Sequence, residues 1–195
     1  MMAFKPLIHI AALVLLLAVS GCSSTPKTGA LLPADKGDAG YRRESNEGVF
    51  ENESIIVRVR IVRDKGGAAM IDELLESKYA VFNMEIVNRS KVRVRYDPST
   101  TLLTDDESSY LKPLDYTDLY DIKKDAEGVE KELSGLRGRF YDVSTTLIPG
   151  EKTSKLLIFK PLGEGIEGAV LAVRDIYIGT EPIDATFSFE IKDEK

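Results

Sequence analysis

From Val49 onward, apolar residues recur at every second place. Ile55, Val57, Val59 and Ile61 alternate with Ile56, Arg58, Arg60 and Val62. Ala80, Phe82, Met84 and Ile86 alternate with Val81, Asn83, Glu85 and Val87. Val92, Val94 and Tyr96 alternate with Lys91, Arg93 and Arg95, and Ala185, Phe187, Phe189 and Ile191 with Thr186, Ser188 and Glu190. Successive side chains of a strand point to opposite faces, so each run predicts a strand with one buried and one wetter face. Half-wet strands belong to antiparallel sheets. Leu156 to Phe159 and Ala169 to Ile178 are more continuously apolar, as central strands are. Asn88-Arg89-Ser90, Ile148-Pro149-Gly150-Glu151 and Gly163 to Gly168 supply the turns and a loose loop. Strands at this spacing predict a mainly β domain over 49–195, built as a two-sheet sandwich.

Two segments break the β rhythm. After Gly66-Gly67, residues 68–78 predict a short helix on Met70, Ile71, Leu74 and Leu75. Residues 115–134 predict a longer amphipathic helix. Leu119, Ile122, Ala126, Val129 and Leu133 step by three and four and make one apolar stripe. Pro113 precedes it and Gly135 follows as a stop. Gly128 weakens it by about 1 kcal/mol relative to Ala.

The start of the chain has a different pattern. Lys5 is followed by an apolar run from Leu7 to Val19, broken only by His9, and then by the small residues Ser20 and Gly21 before Cys22. This is the layout of a secretory signal peptide over 1–21. A core of about thirteen residues makes roughly 20 Å of helix, too short for a permanent span, which takes about 20 residues. Cys22 is the single cysteine, so no disulfide within the chain competes for it. The segment Val19-Ser20-Gly21-Cys22 resembles the bacterial lipobox. That resemblance implies cleavage between Gly21 and Cys22, a diacylglycerol thioether on Cys22 and acylation of its new amino group. Two or three chains on one residue anchor a protein stably where one does so only reversibly. Ser23, where an Asp would favour inner-membrane retention, points to the outer membrane, facing the periplasm. Residues 22–48, rich in Ser, Pro, Gly, Asp and Lys, read as a flexible tether with a span of about 25–30 Å. In the alternative reading Leu31-Leu32 docks on the domain.

Charge and composition narrow the chemistry. Loss of residues 1–21 removes Lys5 and no acid, taking the formal charge from −6 to −7. An acidic chain with no polybasic run is a poor nucleic-acid binder, and it leaves membrane attachment to the acyl anchor. His9 is the only histidine and leaves with the signal, while Cys22 is acylated. The mature domain then has no imidazole and no thiolate for triad catalysis or for the usual zinc, copper and iron ligand sets. Tryptophan is absent, which excludes a tryptophan-lined sugar platform. No cofactor, metal or catalytic residue is expected. Asp105-Asp106-Glu107 offers oxygens to calcium but lacks the EF-hand spacing, and is read as a solvated turn. Asp115, Asp118 and Asp121 suit the first turn of a helix. Facing acids for glycoside hydrolysis are not placed by the sequence. The candidate partner surface is Arg58, Arg60, Arg93 and Arg95, which make a basic strip if their two strands are neighbours. The alternative is a wet sheet face paired with Glu85 and similar acids.

The stretch Tyr79 to Tyr110, with Asn88-Arg89-Ser90 and an Asp-x-x-x-x-Tyr turn in it, resembles the first half of bacterial immunoglobulin-like (telokin-like) lipoprotein domains. Leu147-Ile148-Pro149-Gly150-Glu151, Leu157-Ile158-Phe159 and Phe187-Ser188-Phe189 match the turn and core signatures of their second half. The resemblance implies an immunoglobulin-like antiparallel sandwich with the 115–134 helix inserted, and an envelope location. It implies no activity. Together these readings predict a non-enzymatic, membrane-anchored interaction or scaffold module with an envelope protein partner. The alternative is small-ligand or cation binding in a pocket between sheet and inserted helix.

Overall fold

The computed structural model describes residues 29–66 and 68–193. Gly21 and Cys22 lie outside them. The strands in chain order are β1 (Gly29–Pro33), β2 (Tyr41–Glu44), β3 (Glu47–Glu51), β4 (Ile55–Ile61), β5 (Ala80–Asn88), β6 (Val94–Tyr96), β7 (Leu102–Asp105), β8 (Tyr110–Leu111), β9 (Thr145–Leu147), β10 (Lys152–Phe159), β11 (Gly168–Ile178) and β12 (Glu181–Asp193). Helix α1 (Ala69–Glu76) joins β4 to β5, and α2 (Tyr116–Lys123) and α3 (Val129–Leu136) lie between β8 and β9. Every strand pairing is antiparallel. One sheet runs β10-β5-β4-β3-β2; the other runs β1-β12-β11-β6-β9, with β7 on β11 and β8 on β7. The chain is thus a mainly β fold of two antiparallel sheets, consistent with a sandwich.

The inward phase of each strand makes the core. Val57 and Val59 of β4, Phe82, Met84 and Ile86 of β5, and Leu157 and Phe159 of β10 are completely buried. They share one cluster with Tyr96, Leu103, Leu171, Val173, Phe187 and Phe189 of the other sheet. Burying each such side chain contributes about 1.5–3 kcal/mol. Phe82 stands edge-on to Phe159 at 5.8 Å and tilts against Phe189 at 5.1 Å. Tyr96 meets Tyr141 at 5.1 Å and 89°, and its hydroxyl shares a 2.7 Å hydrogen bond with Thr101 Oγ1.

A second cluster explains the near-continuous apolar stretches of β5 and β10. Val81 and Ile158 point away from the sandwich core, and α1, α2 and α3 cover them. Met70, Ile71, Leu74, Leu119, Val129, Leu133, Leu136 and Phe140 complete this layer. A Lys123–Glu73 ion pair links α2 to α1.

The long inserted helix is corrected to two short ones. Asp115 caps α2: Asp118 N–H donates to Asp115 Oδ1 at 2.9 Å, and Asp115 N–H to Asp118 Oδ2 at 3.0 Å. The helix ends at Lys123. Gly128 then takes φ +81°, a left-handed conformation that an α-helix interior does not contain, and α3 starts after it. The apolar stripe therefore breaks. Leu119, Val129 and Leu133 are buried, while Ile122 is 38% exposed and Ala126 is exposed as well.

The tether expected over 22–48 is corrected for residues 29–48, where β1, β2 and the start of β3 belong to the sandwich. Leu31 pairs with Ile191 in the β1–β12 register and is buried. Tyr41 packs edge-on against Phe187 and donates its hydroxyl to Ala34 O at 2.7 Å. Leu31 and Tyr41 are too sparse to show a local period, and their partners Ile191 and Phe187 are far along the chain in β12. The docking of Leu31 is the alternative that the structure supports.

The Asn88 turn joins strands in different sheets, and Asn88 holds that corner. Its fully buried side chain donates Nδ2–H to Val92 O at 2.8 Å and Leu147 O at 3.0 Å, and accepts from Ser90 N–H at 2.9 Å. Asn88→Ala leaves these groups unpaired. Each buried partner left so costs about 1–3 kcal/mol, and we expect a total loss of about 2–4 kcal/mol in urea unfolding. Gly128→Ala meets no atom within 4 Å, so its expected cost of about 1–2 kcal/mol is left-handed backbone strain alone. An unchanged urea midpoint would show that the linker between α2 and α3 adopts another conformation.

Candidate functional site

The four arginines divide between two outer faces. Arg58 and Arg60 lie on β4 in the five-stranded sheet, whereas Arg93 and Arg95 lie at β6 in the other sheet. The strands are not neighbours, so the basic strip expected from sequence does not form. On the first face Arg58 stands in register with Glu85, and the pair closes at 3.0 Å. Lys152 approaches the other Glu85 oxygen at 3.7 Å. Ser154 donates to Asn83 at 3.0 Å. Arg60, by contrast, is exposed and makes no ion pair among the described residues. It lines two shallow depressions, one of about 140 Å³ with Glu47, Arg58 and Glu85, and one of about 400 Å³ with Leu32, Val62 and Asp64. This face thus has a closed ion pair at Arg58, while Arg60 stands opposite Glu47 in the β3–β4 register without an ion pair among the described residues.

On the opposite face Arg95 lies over the Tyr177 ring, 4.9 Å from its centroid. The long strand β11 is irregular beside it. A bulge between Val173 and Ile176 leaves Asp175 at φ +53°. The backbone groups it frees are satisfied: Asp175 N–H donates to Asp184 at 3.0 Å, and Arg174 O accepts Thr100 Oγ1–H at 2.7 Å. Asp97 sits next to this bulge. It accepts from Ser99 N–H at 3.0 Å and Ser144 Oγ–H at 2.8 Å. The Ser99 side chain and N–H, then Ser144, hold its carboxyl below the usual aspartate range.

The acidic motifs separate into different roles. Asp115 and Asp118 use their oxygens to cap α2 and border a depression of about 250 Å³ that also holds Asp97 and Asp142. Asp105 departs from the solvated-turn expectation, because it is only 5% exposed. The signal was in the alternation: Leu103 and Asp105 share the inward phase of β7. Its Oδ1 accepts Ser109 N–H at 2.8 Å. Among the described residues, no group of three His, Cys, Asp or Glu side chains is arranged to hold a metal, and no helix is long and apolar enough to cross a membrane.

No family model matches the sequence, and no curated protein matches it. Among solved structures the chain aligns with the yjhA protein from Bacillus subtilis at 14% identity and a TM-score of 0.44, covering 71% of this chain and 93% of that one. It aligns with a functionally unknown protein from Listeria monocytogenes EGD-e at 14% identity and a TM-score of 0.39, covering 86% and 90%.

The carboxylates fix a direction of pH dependence. Asp97 is depressed by its serine partners, Asp35 by Arg43 and Lys192, and Glu51 by Arg42 and Arg89. A depressed folded-state pKa contributes stability that is present above the unfolded value, about 4 for carboxylates, and is lost as pH falls through the folded value. Unfolding free energy is therefore expected to fall steadily below about pH 4. Ser144→Ala should reduce stability more at pH 7 than at pH 3, read by urea titration at both. An equal loss at the two pH values would remove Asp97 from the set.

Proposed function

We propose that this protein is a lipid-anchored, non-enzymatic interaction module of the bacterial cell envelope, held on the periplasmic face of the outer membrane. The observation that carries the reading is the apolar run ending in Val19-Ser20-Gly21-Cys22, with β1 of the folded domain already in place at Gly29 and six residues between. Six residues reach at most about 20 Å when fully extended. The domain would then work close to the membrane surface, and its partner would be membrane-bound or membrane-proximal. Ser23 supports the outer-membrane assignment. The immunoglobulin-like reading of the sandwich rests on the Asn88 corner and the Leu147-to-Glu151 turn. These meet in space: Asn88 N–H donates to Glu151 O, and Gly150 N–H to Asn88 O, both at 2.9 Å.

The non-enzymatic reading is supported by the residue supply, since His9 and Cys22 are the only histidine and cysteine. Exposed apolar side chains support a protein partner. Val92 is 47% and Ile148 56% exposed. The Val94–Leu147 register places both at one end of the β6–β9 pair. Apolar side chains together on a surface mark contact sites.

Palmitate labelling tests the anchor: wild type is expected to incorporate label and Cys22→Ser to lose it, and equal labelling would overturn the claim. Co-purification from detergent-solubilised membranes tests the partner. An envelope protein should be recovered with wild type and lost with Val92→Glu at unchanged Tm. Recovery of none above background would count against the interaction role.

A further inference from the structure

The turn between β7 and β8 carries three consecutive acids, and their surroundings are unequal. Asp106 is engaged, because its Oδ2 accepts Glu167 N–H at 3.0 Å. That contact folds the 163–167 loop over the turn, and Ile191 N–H fixes the same loop by donating to Glu167 O at 2.8 Å. Asp105 lies beneath it, 5% exposed. One of its oxygens holds Ser109 N–H, while the other, Oδ2, is buried with no hydrogen-bond partner. Glu107 turns back towards the same place. A Cβ built on Gly163 would stand 3.5 Å from Asp105 Oδ2 and 3.5 Å from Glu107 Oε2. Both carboxylate oxygens therefore lie near a residue that has no side chain. Gly163 is not in the positive-φ region, so its backbone does not demand glycine; what glycine leaves there is space.

No lysine or arginine among the described residues forms an ion pair with Asp105 or Glu107. A buried carboxylate oxygen with no hydrogen-bond partner is unfavourable. An ion with oxygen preference supplies a counter-charge and satisfies the orphaned atom together.

We propose that Asp105 Oδ2 and Glu107 Oε2 bind a hard divalent cation of the calcium type between the β7–β8 turn and the 163–167 loop. Calcium takes six to eight oxygens in flexible geometry, so water and backbone carbonyls complete the shell. Burial at Asp105 favours calcium over magnesium, which sheds its water reluctantly. Binding fastens the loop to the turn and stabilises the end of the sandwich where β1 meets β12. The proposal is independent of the lipid anchor and of the envelope partner.

The test is thermal unfolding of the full-length chain in detergent, in chelator-stripped buffer, with calcium chloride or magnesium chloride added. Calcium at millimolar concentration is expected to raise Tm by several degrees, and magnesium by less. Glu107→Gln should abolish the calcium shift while leaving the metal-free Tm near that of wild type. Gly163→Ala provides a second variant that the fold accommodates, since its methyl meets both oxygens at ordinary contact distance. It occupies the space the ion and its water need, and should abolish the shift too. No shift in wild type, an equal or larger shift with magnesium, or an unaltered calcium shift in both variants would overturn the proposal.

Discussion

The contact of Phe82 with aromatic rings from both sheets is the interaction on which the rest of the structure depends. Phe82 belongs to β5, the second strand of the five-stranded sheet, and it touches Phe159 beside it and Phe189 across the core. For that ring to face inward, every even-numbered residue of β5 from Ala80 to Asn88 must do the same. That phase sets Met84 and Ile86 in the core and buries Asn88 at the corner. It also turns Val81 outward, where an apolar side chain needs a cover of its own. The helical layer is thus a consequence of the strand phase: Val81 and Ile158 give α1, α2 and α3 a surface to pack on.

How far this was legible in the sequence follows from the range of the interactions. The alternation at 55–61, 80–88 and 185–191 is local, and the strands lie where it places them. The α1 stripe of Met70, Ile71 and Leu74 is local too. What local pattern could not carry was pairing between distant parts. Leu31 and Tyr41 sit in a Gly- and Pro-rich segment, and their structure comes from β12. The stripe over 115–134 was periodic in spacing, but α2 ends at Lys123 and residues 124–128, closing on left-handed Gly128, separate it from α3.

The sites divide along the same line. Which arginines share a surface is a question of topology, and two strands with similar Arg-x-Arg patterns ended in different sheets. Glu85 facing Arg58 was foreseeable from the wet phase of both strands; Glu47 facing Arg60 was not, because the start of β3 lies in the stretch read as a tether. Asp105 shows the opposite case. Its inward phase on β7 was written in the alternation with Leu103, but an acid in a run of acids reads as solvent-exposed. Only the 163–167 loop folding over it explains its burial.

The pairing of β1 with β12 has a temporal meaning. Gly29 lies opposite Asp193 and Leu31 opposite Ile191, so the first of the described strands to be synthesised waits for the last before it acquires a neighbour. Until then Leu31 has no sheet to enter, and the seven-stranded sheet lacks an edge. Contacts that span the whole domain close slowly, because the loop entropy must be overcome before they form. The β1 edge of that sheet therefore cannot form until β12 is available to it. A ribosome or translocation pore still holding β12 would keep an otherwise assembled sandwich open at that seam.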